Sequence, residues 1–147
     1  MTNSPVSSQS LETAVADLLP AFGRLLRRMR SELHHGGFNL SQLGTLALLE
    51  RNGAATTADL ARAESMKPQS MGTILAGLEQ QGLLRRRPHP TDGRQVLFEI
   101  TRKGLEERKR RKIAKREWLA AAIARLEPAE QKTLLAAIPV IKRLAGP

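Results

Sequence analysis

The feature that most restricts this chain is a change of hydrophobic period partway along it. Met71, Ile74, Leu75 and Leu78 recur at i, i+3, i+4, i+7, the spacing of one helix face. Beyond Gly82 the period falls to two. Val96, Phe98 and Ile100 alternate with Gln95, Leu97 and Glu99, the pattern of a half-buried strand whose even-numbered residues face inward. Leu83–Arg87 supplies a run that can pair with it. Between the two lies Pro88-His89-Pro90-Thr91-Asp92-Gly93-Arg94, which carries an Asp-Gly turn signal. The expectation is one β-hairpin set among helices.

The flanking segments support this. Leu11, Val15, Leu18, Phe22, Leu25, Met29 and Leu33 recur every three or four residues and predict a first helix. Pro20 should kink it or split off its first turns, and Gly36-Gly37 ends it. Ser41 is the expected N-cap of a second helix, closed by Asn52-Gly53. Thr56 with Asp59 resembles an acidic capping box and opens a short third helix. Pro68 suits the first position of the fourth. Thr101 caps a charged fifth helix to about Arg125, and Pro128 begins a sixth, bent at Pro139. The predicted fold is mainly α with a small β-wing, in the order α-α-α-α-β-β-α-α. Its expected parts are a disordered arm over 1–10, an N-terminal dimerisation helix over 11–35, a winged helix-turn-helix over 41–101 and C-terminal dimerisation helices over 102–147.

Composition limits what such a chain can do. Lys and Arg number 24 against 14 Asp and Glu, a formal charge of +10. That excess points to a polyanion, nucleic acid before an anionic membrane surface. With no cysteine, thiol redox sensing and Cys-ligated metals are excluded. The polar, Ser-rich start lacks the basic and apolar regions of a signal peptide. No stretch approaches the ~18 apolar residues of a membrane span, so a cytoplasmic location is expected. No G-x-S-x-G, H-E-x-x-H or Walker loop occurs, and the sequence offers no enzymatic chemistry, no metal site and no cofactor.

Two regions carry the functional reading. In the fourth helix the face opposite the apolar stripe holds Gln69, Ser70, Thr73 and Gln80, with the small Gly72, Ala76 and Gly77 between them. These are uncharged hydrogen-bonding groups on an element that fits a DNA major groove. In the hairpin, Arg85, Arg86, Arg87, His89 and Arg94 crowd one loop and its base. So much positive charge calls for a polyanion to neutralise it. A loop-tip arginine such as Arg94 can enter a narrow minor groove, and Asp92 is close enough to orient its guanidinium. Such a pair on its own is also an ordinary surface turn.

Gly82-Leu83-Leu84-Arg85-Arg86, Pro90-Thr91-Asp92-Gly93-Arg94, Val96-Leu97-Phe98-Glu99-Ile100-Thr101 and Lys103-Gly104 together resemble the wing signature of the multiple-antibiotic-resistance regulator (MarR) family. The likeness extends upstream through Ala58-Asp59-Leu60-Ala61 and Leu75 to Gly82, and in element order over about residues 11–145. The resemblance implies a homodimer whose first, fifth and sixth helices interlock, with two winged domains facing successive major grooves of double-stranded DNA. Many members are repressors released by small, often phenolic or anionic, effectors. By position, Arg94 would be the minor-groove arginine and Asp92 its orienting partner. Gln69, Ser70 and Thr73 would contact bases. Lys67 stands at the helix cap where Ser is common, and Thr73, Gly77 and Gly93 stand where similar proteins often carry Arg.

The fifth helix mixes Lys103, Arg108–Lys112, Lys115 and Arg116 with Glu106, Glu107 and Glu117. It suits a solvated face laced by pairs such as Glu106–Arg110 and Glu107–Arg111 as well as a DNA-backbone contact. Trp118 reads as packing at a dimer seam. His34 and His35 do not share a helix face or any ligand cluster, and a place in an effector pocket is the alternative to plain surface. On sequence alone a non-specific or architectural nucleic-acid protein is the main alternative function. A basic module for acidic proteins or membranes is a third.

Overall fold

The computed structural model describes residues 6–33 and 37–146. His34 and His35 lie outside the described residues, as do the first five residues of the expected arm. The elements run α1 (Ser8–Glu32), α2 (Leu40–Asn52), β1 (Ala55–Thr56), α3 (Thr57–Ala63), α4 (Pro68–Gln80), β2 (Leu84–Pro88), β3 (Val96–Ile100), α5 (Arg102–Ala124) and α6 (Pro128–Ala145). The chain divides into two compact units, residues 36–114 and residues 1–35 with 115–147. No helix of the described residues is long and apolar enough to cross a membrane.

The expected fold class holds: mainly helical, with a small antiparallel sheet beside a helix-turn-helix. The sheet has three strands, ordered β1-β3-β2, where the sequence suggested two. The addition is β1, whose Ala55 and Thr56 pair with Phe98 and Leu97. Two residues cannot display a period, so this strand exists only through its partner. The pairing makes β3 a central strand, and burial along it departs from the expected alternation. Leu97, expected outward, is buried, and Val96, expected inward, is 41% exposed.

Helix boundaries shift for local reasons. Ser7 is the N-cap of α1, its side chain accepting from the Ser10 N–H, so the helix starts three residues before Leu11. The hydrogen-bonded helix continues across Pro20 to Glu32, and α6 continues across Pro139, so neither proline splits its helix. Asn39, and not Ser41, caps α2. Its side chain accepts from the Gln42 N–H at 2.8 Å and Gln42 Oε1 accepts from the Asn39 N–H at 2.9 Å, a full capping box. Thr56 caps α3 as expected, accepting from the Asp59 N–H and donating to its carboxylate.

The core of the 36–114 unit gathers one face of each element. Leu46 and Leu49 come from α2, Leu60 and Ala61 from α3, and Met71, Leu75 and Leu78 from α4. Leu83, Leu84 and Phe98 close it from the sheet side. Thr45 is buried among them, and its hydroxyl is satisfied by the Ser41 carbonyl at 2.8 Å.

The segment Gly82…Thr101-Arg102-Lys103-Gly104 forms a clasp at the base of the hairpin. Gly82 has φ +75, a conformation that a side chain would strain. Its carbonyl accepts the Thr101 hydroxyl at 2.7 Å, and Thr101 Oγ1 in turn accepts the Gly104 N–H at 3.1 Å. Lys103 Nζ donates to the Gln81 carbonyl at 2.7 Å. Gly104 is buried so tightly that a Cβ would lie 2.4 Å from the Leu83 carbonyl oxygen and 2.6 Å from Ile100 Cγ1. Alanine is the better helix former by about 1 kcal/mol. The clash is with backbone, however, and overpacking typically costs ~1–3 kcal/mol. Gly104→Ala is therefore expected to lower the urea midpoint. A variant as stable as the parent would mean that the β2–α5 junction yields freely.

Candidate nucleic-acid interface

The exposed surface of α4 is the one read from the sequence. Met71, Leu75 and Leu78 are buried, while Gln69, Ser70, Thr73, Ala76 and Gln80 are exposed. Thr73 Oγ1 donates to the Gln69 carbonyl at 3.2 Å, so its hydroxyl proton is engaged within the helix. Lys67 occupies the N-cap with no side-chain capping bond, and Pro68 begins the helix. Ser65, at φ +52, turns the chain from α3 into α4.

The hairpin separates its arginines into two groups. Register explains the first. Arg85 lies opposite Glu99 and Arg87 opposite Leu97, so both reach Glu99 on one face. Arg85 Nε sits 2.5 Å from Glu99 Oε1, and Arg87 donates to Oε2 at 3.3 Å. Arg86 points to the other face. It stacks over the Phe98 ring at 5.4 Å and pairs with Glu79, at the end of α4, at 3.0 Å. These three arginines therefore brace the wing as well as charging it. Surface pairs of this kind stabilise by ~0–1 kcal/mol each.

Arg94 forms the second group alone. It is exposed at the tip and has no ion-pair partner among the described residues. Asp92 acts on it differently from the sequence expectation. The carboxylate accepts the Arg94 backbone N–H at 3.0 Å through Oδ1 and Gln95 Nε2 at 3.0 Å through Oδ2. It fixes the turn and leaves the guanidinium to project. A carboxylate two residues before a backbone N–H closes an Asx turn, a shorter reach than to the end of an arginine side chain. His89, counted in the sequence as positive charge, is an acceptor here. Its Nδ1 receives the N–H groups of Thr91 and Asp92 at 3.3 and 3.1 Å.

The start of α5 is pinned to α2. Glu50 receives Arg108 Nε at 2.7 Å and Lys112 Nζ at 3.0 Å. Arg108 first, then Lys112, hold the Glu50 carboxyl below its ordinary range against the opposing effect of burial. Glu107 pairs with Arg111 at 2.8 Å, as expected, and Arg111 stacks on Phe38 at 4.6 Å. Glu106 pairs with Arg102, not Arg110. Arg110 turns to Glu107 instead, a choice between neighbours one helical turn away that sequence spacing cannot make. Much of the α5 charge near α2 is thus structural, a role that spacing within one helix could not reveal.

In the other unit, α1 and α6 contain no buried residue despite their apolar stripes. Leu11, Val15, Leu18, Phe22 and Leu25 are exposed, as are Leu135, Ile138, Ile141 and Leu144. Trp118 is half-buried and lines a hollow of about 320 Å³ with Leu25, Arg28, Glu32 and Arg125.

Comparison with known proteins agrees with this fold. Residues 38–96 match the model of the MarR family. An HTH-type transcriptional regulator of Mycobacterium tuberculosis is 38% identical over 129 residues, covering 88% of this chain and 90% of the relative. An HTH-type transcriptional repressor of Mycobacterium bovis is 31% identical over 116 residues, covering 78% and 84%. Among solved structures, a Pseudomonas aeruginosa protein described as a transcriptional regulator superposes with a TM-score of 0.78. It is 31% identical and covers 96% of this chain and 99% of its own.

Proposed function

The chain belongs to the MarR family of DNA-binding, helix-turn-helix transcriptional regulators, and on that premise we propose that it is a homodimeric, effector-responsive repressor of a pseudo-palindromic operator. The observation that carries this is the pairing of two surfaces in one unit. The exposed α4 face is uncharged and rich in hydrogen-bonding groups. Beside it the hairpin pairs its basal arginines with Glu79 and Glu99 and leaves Arg94 alone at the tip. Gln69, Ser70 and Thr73 read base edges in the major groove. Arg94 reaches the adjoining minor groove. Lys67 and the remaining wing charge meet the phosphates, and His89 shapes the loop that presents Arg94.

The homodimer is supported by the exposed apolar stripes of α1 and α6, a quantity of oily surface that a stable monomer rarely leaves in water. A two-fold axis then places the recognition helices ~34–36 Å apart, one turn of DNA. Repression is supported by the repressor name of the Mycobacterium bovis relative. An effector, phenolic or anionic as the family resemblance implies, must bind the DNA-incompetent spacing better, since equal affinity shifts nothing. Such a regulator works in the cytoplasm.

The test is fluorescence anisotropy of the full chain with duplexes flanking its own gene, against scrambled duplex, at two salt concentrations. A preference of ~10³ or more for one stretch is expected, with affinity falling steeply as salt rises. Equal affinity for every duplex, including those recovered by a genome-wide binding selection, would favour the non-specific, architectural reading.

A further inference from the structure

His89 sits where a wing needs a cation least and an acceptor most. Backbone N–H groups can only donate. The Nδ1 that receives the Thr91 and Asp92 N–H groups must therefore be unprotonated, which puts the ring proton on Nε2. The Thr91 hydroxyl lies 3.4 Å from the same nitrogen. The constraint then passes along the loop. The Asp92 N–H is held by His89, and the Asp92 carboxylate holds the Arg94 N–H at 3.0 Å. The Gln95 N–H donates to the Asp92 carbonyl, and the His89 N–H donates to the Gln95 carbonyl, which closes the turn on itself. Each bond fixes backbone, and together they decide where the Arg94 side chain leaves the tip.

We propose that His89 is a positioning residue for Arg94, and that the wing engages DNA only with the His89 imidazole neutral, so that acidification weakens operator binding. This role for His89 rests on Arg94 contacting DNA as proposed for the wing. An imidazolium has two N–H donors and no acceptor. Protonation would set Nδ1–H against two backbone donors and release the turn. On the loop, the Asp92 carboxylate is engaged by the Arg94 backbone N–H and the Gln95 side chain, and Arg94 is exposed. On β2, Arg87 is paired with Glu99 of β3. None of them forms a hydrogen bond to the His89 ring among the described residues. The sign opposes simple electrostatics, in which an added cation on a DNA-binding loop tightens binding.

The experiment measures affinity of the full chain for an operator duplex recovered by selection from a random-sequence library. Ionic strength is held constant from about pH 8 to about pH 5.5, the interval in which imidazoles change charge. Wild type is expected to weaken about tenfold across that interval, one hydrogen-bond equivalent. His89→Asn, whose amide oxygen can accept the same N–H groups, is expected within about threefold of wild type at pH 8 and flat with pH. His89→Ala should be about tenfold weaker at pH 8 and also flat. In an Arg94→Ala background, His89→Ala should cost nothing further.

Tighter binding of wild type in acid, or wild-type affinity in His89→Ala, would overturn the proposal. So would a slope that survives in His89→Asn, since the titrating group would then be elsewhere. Failure of His89→Asn to rescue would remove the acceptor role. If Arg94→Ala itself binds like wild type, the wing-contact reading fails. If Arg94→Ala weakens binding and His89→Ala does not, only the role given to His89 fails.

Discussion

Leu75→Ala is expected to destabilise the winged unit by about 2–5 kcal/mol, the cost of a buried leucine truncated where its surroundings cannot collapse. Leu75 is fully buried on the inner face of α4, in one cluster with Leu46, Leu49, Met71, Leu78 and Leu84. These neighbours come from three elements, and the hairpin clasp ties one of those elements in place. The cavity is therefore bounded by parts that are held apart by their own hydrogen bonds. Urea unfolding followed by circular dichroism measures the effect. Thr73→Ala, on the exposed face of the same helix, serves as the control and should stay within about 0.5 kcal/mol. A Leu75→Ala protein as stable as that control would mean that α4 is not anchored through this face. The reading of its opposite face as the DNA-facing one would then lose its structural basis.

Arg94→Ala is expected to weaken operator binding by about 1–3 kcal/mol, roughly 5- to 150-fold. The magnitude is that of one good groove contact, and the structure explains why it should fall on this arginine. Arg85, Arg86 and Arg87 already serve Glu99 and Glu79, whereas Arg94 has no ion-pair partner among the described residues. Its backbone is held by Asp92, so little ordering remains to be done on binding. Asp92→Ala should act in the same direction and more weakly, because it loosens the turn without deleting the guanidinium. Anisotropy titrations at low salt provide the measurement. Undiminished affinity in Arg94→Ala would place the wing off the DNA. Loss confined to Asp92→Ala would assign the contact to the turn itself.

Much of this was legible in the residues alone. The switch of period from Met71–Leu78 to Val96–Ile100 located a helix followed by a strand, because side-chain direction along each element is a local property of backbone geometry. The uncharged face of Gln69, Ser70 and Thr73 followed from the same helical period. Thr56 and Thr101 announced two helix starts, since capping satisfies donors only a few residues away. Asn39 was missed in favour of Ser41 because several polar residues stand near that helix start. Only the reciprocal bond from Gln42 distinguishes them.

What the sequence by itself determined was therefore carried by short-range spacing: the element order apart from β1, the buried stripe of α4, the hairpin and its tip. What only the tertiary structure decided was the set of partners chosen across distance. The strand β1 exists because β3 offers it a ladder, and Leu97 is buried where alternation alone placed it outward. Arg85 and Arg87 share Glu99 because register brings them together, and Glu50 meets Arg108 and Lys112 across more than fifty residues of chain. His89 is an acceptor rather than a cation because the loop folds two backbone donors onto its ring. Charge is a property a residue brings with it, but whether that charge is spent within the fold or left for a ligand depends on which groups the packed chain places within hydrogen-bonding reach.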